Sequence, residues 1–436
     1  MDIKITGPDK IDASLSAISS KSYVHRLLIA AALSDKESFI KTNIISKDMT
    51  ATVNCLNALG GELKIVDGGI KVAHGLSFSD EAHLDCIESG STARFMLPVA
   101  AHFSSSVLMT GEGKLPERPF GPLCEALRKN GVRVDSDLIP IKTEGRVKAG
   151  VFELPGNVSS QFITGLLFTL PLLESDSRIV LTSHLESAAY VDITIEVLKL
   201  FNIRIDVEEN GYLVKGNQKY EGPTEIIAEG DWSNAAYVLG MGAIKGKITL
   251  DNVNNESVQG DRAVINVLKS FGSTIVLTKA QGKENISVEK NGLKPVTIDG
   301  SEIPDLIPAL AVIASFAEGE SKFLNIERLR IKESDRIKAI EDILKAIGRE
   351  SEVITREGHE DLVVKGVPAG EIEFSSPITI DGYNDHRIVM AAAMASLGVD
   401  VPVLIKGACA VSKSYPTFFE ECRKMGFEVT CTSNES

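Results

Sequence analysis

One pattern recurs six times along the 436-residue chain: Leu or Cys, two variable residues, an often apolar position, then Gly or Asn. It reads LNALG ending at Gly60, LRKNG at Gly131, LKLFN at Asn202, LKSFG at Gly272, LKAIG at Gly348 and CRKMG at Gly426. Successive copies lie 71, 71, 70, 76 and 78 residues apart, and most are followed by a β-type alternation such as VRVDS or IRIDV. Gly or Asn closing an amphipathic helix supplies a left-handed cap, so each copy predicts helix, cap, strand. A second, more apolar helix precedes each copy; its centre lacks a polar face, which implies burial on most sides. Each unit is therefore expected to run roughly β-α-β-α-β-β. An open solenoid is the alternative, but units of this size with buried helices suit closed globular domains better. Six such units make two domains of three, because single cores stop growing beyond roughly 250 residues. Composition places the boundary near NQKYEGPTEIIAEGD, residues 217–231.

Apolar residues make up 43% of the chain and charged ones 24%, as in globular proteins generally. The net charge of −14 argues against general nucleic-acid or membrane-surface binding. The longest apolar stretches, such as FITGLLFTLPLL, are too short to span a bilayer, and MDIKITGPDK lacks the apolar segment of a signal peptide. The six cysteines are scattered without a CxxC pair and are expected as reduced thiols in a cytoplasmic protein. No P-loop, dinucleotide fingerprint or HExxH motif is present, and no metal site is expected.

The polar residues that open the apolar helices carry the functional signal. They are Lys21, Ser22 and Arg26; Gly90, Ser91 and Arg94; Ser159, Ser160 and Gln161; Asp231; Asp305; and Asp385, His386 and Arg387. Capping alone explains Ser or Asp at such places. It explains Lys and Arg poorly, because a cation there opposes the helix dipole unless an anion sits between. Free backbone N–H groups, hydroxyls and a cation together make a phosphate or carboxylate site. Three further places carry the same sign: Lys332, Glu333 and Arg336, expected on one helix face; Arg118, ahead of the second unit's outer helix; and Lys413, at the matching place in the last unit.

At these residues the chain resembles the 5-enolpyruvylshikimate-3-phosphate synthase (3-phosphoshikimate 1-carboxyvinyltransferase) family. The resemblance spans the whole length through SKSYVHRLLIAAAL, ESGSTARF, ERPFGPL, VSSQFITGLL, SAAYVDIT, IPDLIPALAV, RIKESDRI, DGYNDHRIVMA and VSKSYPTFF. It implies an α/β fold of two inverse α/β domains, each of three repeated β-α-β-α-β-β units, with a substrate cleft between them. The domains would be 13–227 and a discontinuous 1–12 plus 228–436. The implied reaction moves the enolpyruvyl group of phosphoenolpyruvate to the 5-hydroxyl of shikimate 3-phosphate through a tetrahedral intermediate, releasing phosphate. No metal or organic cofactor is implied, and the acting species is expected to be a monomer. By motif, Lys21, Ser22, Arg26, Ser159, Ser160, Gln161, Ser187, Tyr190, Asp305 and Lys332 are assigned to shikimate 3-phosphate. Lys21, Gly90, Arg118, Gln161, Glu333, Arg336, Arg387 and Lys413 are assigned to phosphoenolpyruvate. Asp305, Glu333 and Lys21 are the expected proton carriers, with Arg94 and His386 in support.

The chain departs from the family pattern at Ile18 and Ser19, where Pro-Gly is common, at Glu88, where Asn is common, and at Ser91, where Thr is usual. Gly90 is retained and leaves room for phosphoenolpyruvate and for glyphosate-like analogues. Two rivals remain. One is UDP-N-acetylglucosamine enolpyruvyl transferase, but EGKLPERP lacks that family's reactive Cys, and Cys124 is expected on the covered face of a helix. The other is a non-catalytic anion-binding homologue, which would gain nothing from acids such as Asp305 and Glu333 among the cations.

Overall fold

The computed structural model describes residues 1–280, 283–368 and 370–432. Its helices, in chain order, are α1 (Lys21–Ala32), α2 (Lys47–Ala58), α3 (Gly90–Phe103), α4 (Gly121–Lys129), α5 (Ser160–Thr169) and α6 (Ala188–Leu200). They continue with α7 (Trp232–Lys245), α8 (Val264–Ser270), α9 (Ile307–Ala314), α10 (Arg336–Ala346), α11 (His386–Ala395) and α12 (Phe418–Lys424). The even-numbered helices carry the repeated motif, and each is closed as expected. Gly60, Gly131, Asn202, Gly272, Gly348 and Gly426 all take positive φ, between 59° and 99°. That conformation costs glycine nothing and asparagine little, which explains why these two types recur there.

The strands form four-stranded sheets, six among the described residues, all built alike. In one, Ser79–Asp85 runs parallel to Ser104–Thr110, which pairs antiparallel with Ile141–Glu144 and that in turn with Arg133–Val134. With α3 and α4 between the strands, this is the expected β-α-β-α-β-β unit, and the α/β fold of repeated units is as the sequence predicts.

The chain divides into two compact units, residues 19–228 and residues 1–18 with 229–436. Strand exchange sets that division. Ile11–Ser16 pairs parallel with Gly246–Asp251, while Glu225–Ile227 pairs parallel with Ser38–Lys41. The resemblance implies a first break near residue 12; in the structure the whole of Ile11–Ser16 is committed to that sheet, and the compact unit extends to Ile18. Asp2–Thr6 lies in the same unit, between Val403–Lys406 and Glu428–Thr432.

The odd-numbered helices form the inner layers. In α9 and α11 every residue is buried. In the other four, apart from His102 and Lys245 at C-terminal ends, only Lys21, Ser22, Ser91 and Gln161 reach solvent, and all four sit in a first turn. Helices this enclosed pack only where small residues let backbones approach. A Cβ on Gly165 of α5 would lie 2.5 Å from the carbonyl oxygen of Arg94 on α3. Gly165→Ala is therefore expected to destabilise the protein by about 1–3 kcal/mol, seen as a lower urea midpoint. An unchanged midpoint would show that α3 and α5 tolerate separation.

Candidate active site

The inner helices of residues 19–228 begin at Ser20, Ser89 and Ser159, whose hydroxyls accept from Tyr23, Thr92 and Gln161 backbone N–H groups. The caps are thus Ser20 and Ser89; Ser22 and Ser91, both plausible caps from sequence, lie inside the first turn instead. The entry to α3 is strained: Ile87, a β-branched residue, holds a φ of 51°, and its N–H donates to Asp85 at 2.9 Å. Ser187, which caps α6, is also left-handed at φ 56°.

Around these ends the assigned side chains gather in linked sets. Lys21 Nζ meets Asp48 Oδ2 at 2.9 Å, with both side chains largely enclosed. Arg26 is buried, donates to Thr194 Oγ1 and to the carbonyls of Ser22 and Tyr190, and stacks on Phe95. It thereby ties α1 to α6 and fixes both Ser22 and Tyr190. Gln161 donates to Ser91 Oγ at 2.9 Å and accepts from Arg94, whose guanidinium lies over both Phe120 and Phe162. Gly90 is pressed by Arg118: a Cβ there would come within 2.8 Å of the guanidinium carbon, so any side chain would displace the arginine. Ser160 is buried beside the Ser159 cap.

Behind the first turns, His25 Nδ1 pairs with Thr52 Oγ1 at 2.6 Å, Thr52 with Thr92 at 2.7 Å, and Thr92 donates to Ser89 at 2.7 Å. Burial, then the charges of Lys21 and Arg26, hold the His25 pKa well below its ordinary value. The imidazole is neutral at physiological pH and adds no charge to a region already positive.

The other unit holds a denser cluster. Arg336 is 1% exposed and contacts three carboxylates: Asp305 at 2.9 Å, Glu333 at 2.7 Å and Asp385 at 2.8 Å. Asp385 also caps α11 by accepting from the Arg387 N–H, and accepts from Ser334 Oγ. Arg387 reaches the second oxygen of Asp305 at 3.2 Å, and Lys332 lies 3.8 Å from the first. Lys413 donates to the carbonyl of Asn384 at 2.6 Å. That carbonyl is presented by a strained turn in which Tyr383 and Asn384 both take positive φ, braced by Tyr383 Oη on Asp342 at 2.5 Å.

Lys332 and Glu333 do not share a helix face with Arg336, as the spacing suggested. Helix α10 begins only at Arg336, with Asp335 as its cap, and the two preceding residues lie in an irregular segment after a short 3-10 turn. Nor is Asp305 a cap: it stands one residue ahead of Leu306, the residue that precedes α9.

The electrostatics of this cluster are mutual. Burial pushes the Asp305 carboxyl up, but Arg387, Lys332 and Arg336 outweigh it and hold the group well below the usual carboxylate range. Burial draws the Lys332 ammonium down to about 8, against the attraction of Asp305. Asp261, buried and accepting from Ser233, is raised to about 6 by burial and by the nearby charge of Asp305. Chemically, such a set takes up an anion on its arginines and lysines while keeping carboxylates at hand for proton transfer. Among the described residues no group of three or more His, Cys, Asp or Glu is placed to hold a metal ion, and no helix is long and apolar enough to cross a membrane.

Sequence reasoning did not assign Asp48, Ser334 or Asp261 to the site. Asp48 looks like any acid in a helix's first turn, and its contact with Lys21 spans 27 residues.

The sequence matches the EPSP synthase (3-phosphoshikimate 1-carboxyvinyltransferase) family over residues 5–422. A 3-phosphoshikimate 1-carboxyvinyltransferase of Clostridium acetobutylicum is 39% identical over 422 residues, 94% of each chain. One of Clostridium novyi is 36% identical over 441 residues, 98% of this chain and 97% of the relative. Among solved structures, an EPSP synthase from Acinetobacter baumannii matches with a TM-score of 0.79 at 24% identity, over 99% of this chain and 100% of that one. The enolpyruvyl transferase NikO from Streptomyces tendae matches at 0.77 and 14% identity, over 98% of each. At these identities the two structures speak to the fold alone, and it is the enolpyruvyl transferase fold.

The depressed pKa of Lys332 has a definite sign for stability. Between about 8 and its ordinary value of 10.5 the unfolded chain binds the proton and the folded chain does not, so this group makes stability rise with pH across that window. Lys332→Met is expected to lack that rise, so the stability difference between parent and variant, measured by unfolding from about pH 7.5 to 10.5, grows with pH in the parent's favour. A constant difference across the window would contradict it.

Proposed function

The chain belongs to the EPSP synthase family, and from that membership we infer that it transfers the enolpyruvyl group of phosphoenolpyruvate to shikimate 3-phosphate, releasing phosphate. The observation that carries this is the match across nearly the whole sequence, at 36% and 39% identity to relatives of that activity. Each substrate brings a phosphate and a carboxylate, so the reaction gathers several negative charges around one reacting carbon. Cations and helix N-termini offset that repulsion, and more strongly away from water.

In this reading the assigned residues serve one reaction. Lys21, Ser22, Arg26, Ser159, Ser160, Gln161, Ser187 and Tyr190, with Asp305 and Lys332, receive shikimate 3-phosphate; Arg26 acts by holding Ser22 and Tyr190. Lys21, Gly90, Arg118, Gln161, Glu333, Arg336, Arg387 and Lys413 receive phosphoenolpyruvate. Asp305 takes the proton of the 5-hydroxyl as its oxygen bonds to the central carbon of the donor. The methylene carbon gains a proton from Glu333, with Lys21 assisting, to give a tetrahedral intermediate. The bond to the phosphate oxygen then breaks, phosphate leaves with the electron pair, and the methyl group returns a proton. The pairing of Asp305 with Arg336 and Arg387 bears on this order: it makes the carboxylate a weak base until an incoming anion shares those arginines. One chain supplies every residue named. All six cysteines are free thiols, which suits a cytoplasmic location.

The UDP-N-acetylglucosamine reading lacks its thiol. Cys124 is buried on α4, and burial pushes its pKa up to about 12. The test is phosphate release on mixing phosphoenolpyruvate with shikimate 3-phosphate. It is expected with that acceptor and absent with UDP-N-acetylglucosamine, and Asp305→Ala is expected to lower turnover at least about 100-fold. Release with the nucleotide sugar would overturn the acceptor; near-normal turnover in the variant would remove Asp305 as the base.

A further inference from the structure

Tyr237 lies on α7, fully buried, with its ring 5.9 Å from the guanidinium carbon of Arg387. Among the described residues its hydroxyl has no hydrogen-bond partner, and neither do Nε and Nη1 of Arg387; Nη2 alone is engaged, with Asp305. A buried polar group left unmatched costs about 1–3 kcal/mol, and phenylalanine at 237 would fill the same space without that cost. The hydroxyl thus has a use other than packing. Burial raises the Tyr237 pKa, against the lowering influence of Arg387 and Arg336, so the phenol keeps its proton at neutral pH and is available as a donor. The guanidinium has only donors to offer. The phenolic oxygen can itself accept from those donors, so an Arg387 guanidinium that turns toward a ligand anion can also donate to the Tyr237 hydroxyl.

We propose that Tyr237 is a positioning residue for the reaction: it acts through Arg387, its ring and hydroxyl holding the guanidinium in the orientation that takes up an anionic oxygen of phosphoenolpyruvate. The ring provides a cation–π face and the hydroxyl a second anchor on the buried side. This rests on the reading that Arg387 binds phosphoenolpyruvate, and the experiment separates the two. Tyr237→Phe is expected to raise the KM for phosphoenolpyruvate about 3- to 10-fold, the loss of one hydrogen bond. The KM for shikimate 3-phosphate and kcat stay unchanged, and thermal stability is no lower than the parent's, since the unmatched hydroxyl is gone. In an Arg387→Ala background, Tyr237→Phe is expected to add nothing, because its effect passes through the missing guanidinium. A wild-type KM in Tyr237→Phe, or an equal increase in both backgrounds, would overturn the proposal. If Arg387→Ala alone raises the KM while Tyr237→Phe does not, the reading of Arg387 stands and the role of Tyr237 falls. If Arg387→Ala leaves the KM untouched, both fall.

Discussion

A buried arginine holding three carboxylates is the constraint on which the second cluster depends. Arg336 joins Asp305, Glu333 and Asp385, groups contributed from ahead of α9, ahead of α10 and the cap of α11. Taking these charges out of water is expensive, and removing one member of such a set typically costs about 3–5 kcal/mol because the rest are left uncompensated. The network is therefore a poor device for stability alone. It is a good one for holding acids and cations in fixed register until another anion competes for the arginine.

The same logic explains where polarity lies in the inner helices. Their interiors are closed to water, so first turns are the places left where charge can meet a ligand. Backbone N–H groups point outward there as well, and the dipole favours an anion. Lys21 is balanced by Asp48 and Arg387 by Asp305, so neither cation opposes its helix end unaided. The strained entries at Ile87 and at Tyr383 with Asn384 fix how the chain arrives at α3 and α11, a local cost that the surrounding hydrogen bonds sustain.

Much of this was legible in the sequence because it is local. The six C-caps, the alternating strands and the apolar helices each follow from residues within one turn or one strand. What was not legible is non-local or depends on where a helix starts. Asp48 meets Lys21 across 27 residues and Asp385 meets Arg336 across 49, and neither distance leaves a periodic trace. The placement of Lys332 and Glu333 on a helix failed because Asp335 caps α10 one residue before Arg336, a competition between Ser334, Asp335 and their neighbours that spacing alone does not decide. The motif resemblance assigned Lys332, Glu333 and Arg336 without their geometry, and it did not reach Asp48.

The central proposal is that Arg118 and Lys413 each take part in binding phosphoenolpyruvate. The most direct measurement is steady-state kinetics of two charge-removing variants, Arg118→Met from residues 19–228 and Lys413→Met from the other unit. Each is predicted to raise the KM for phosphoenolpyruvate about tenfold or more, with little change in the KM for shikimate 3-phosphate. If only one of the two variants affects that constant, the other residue takes no part in holding the donor and the account fails.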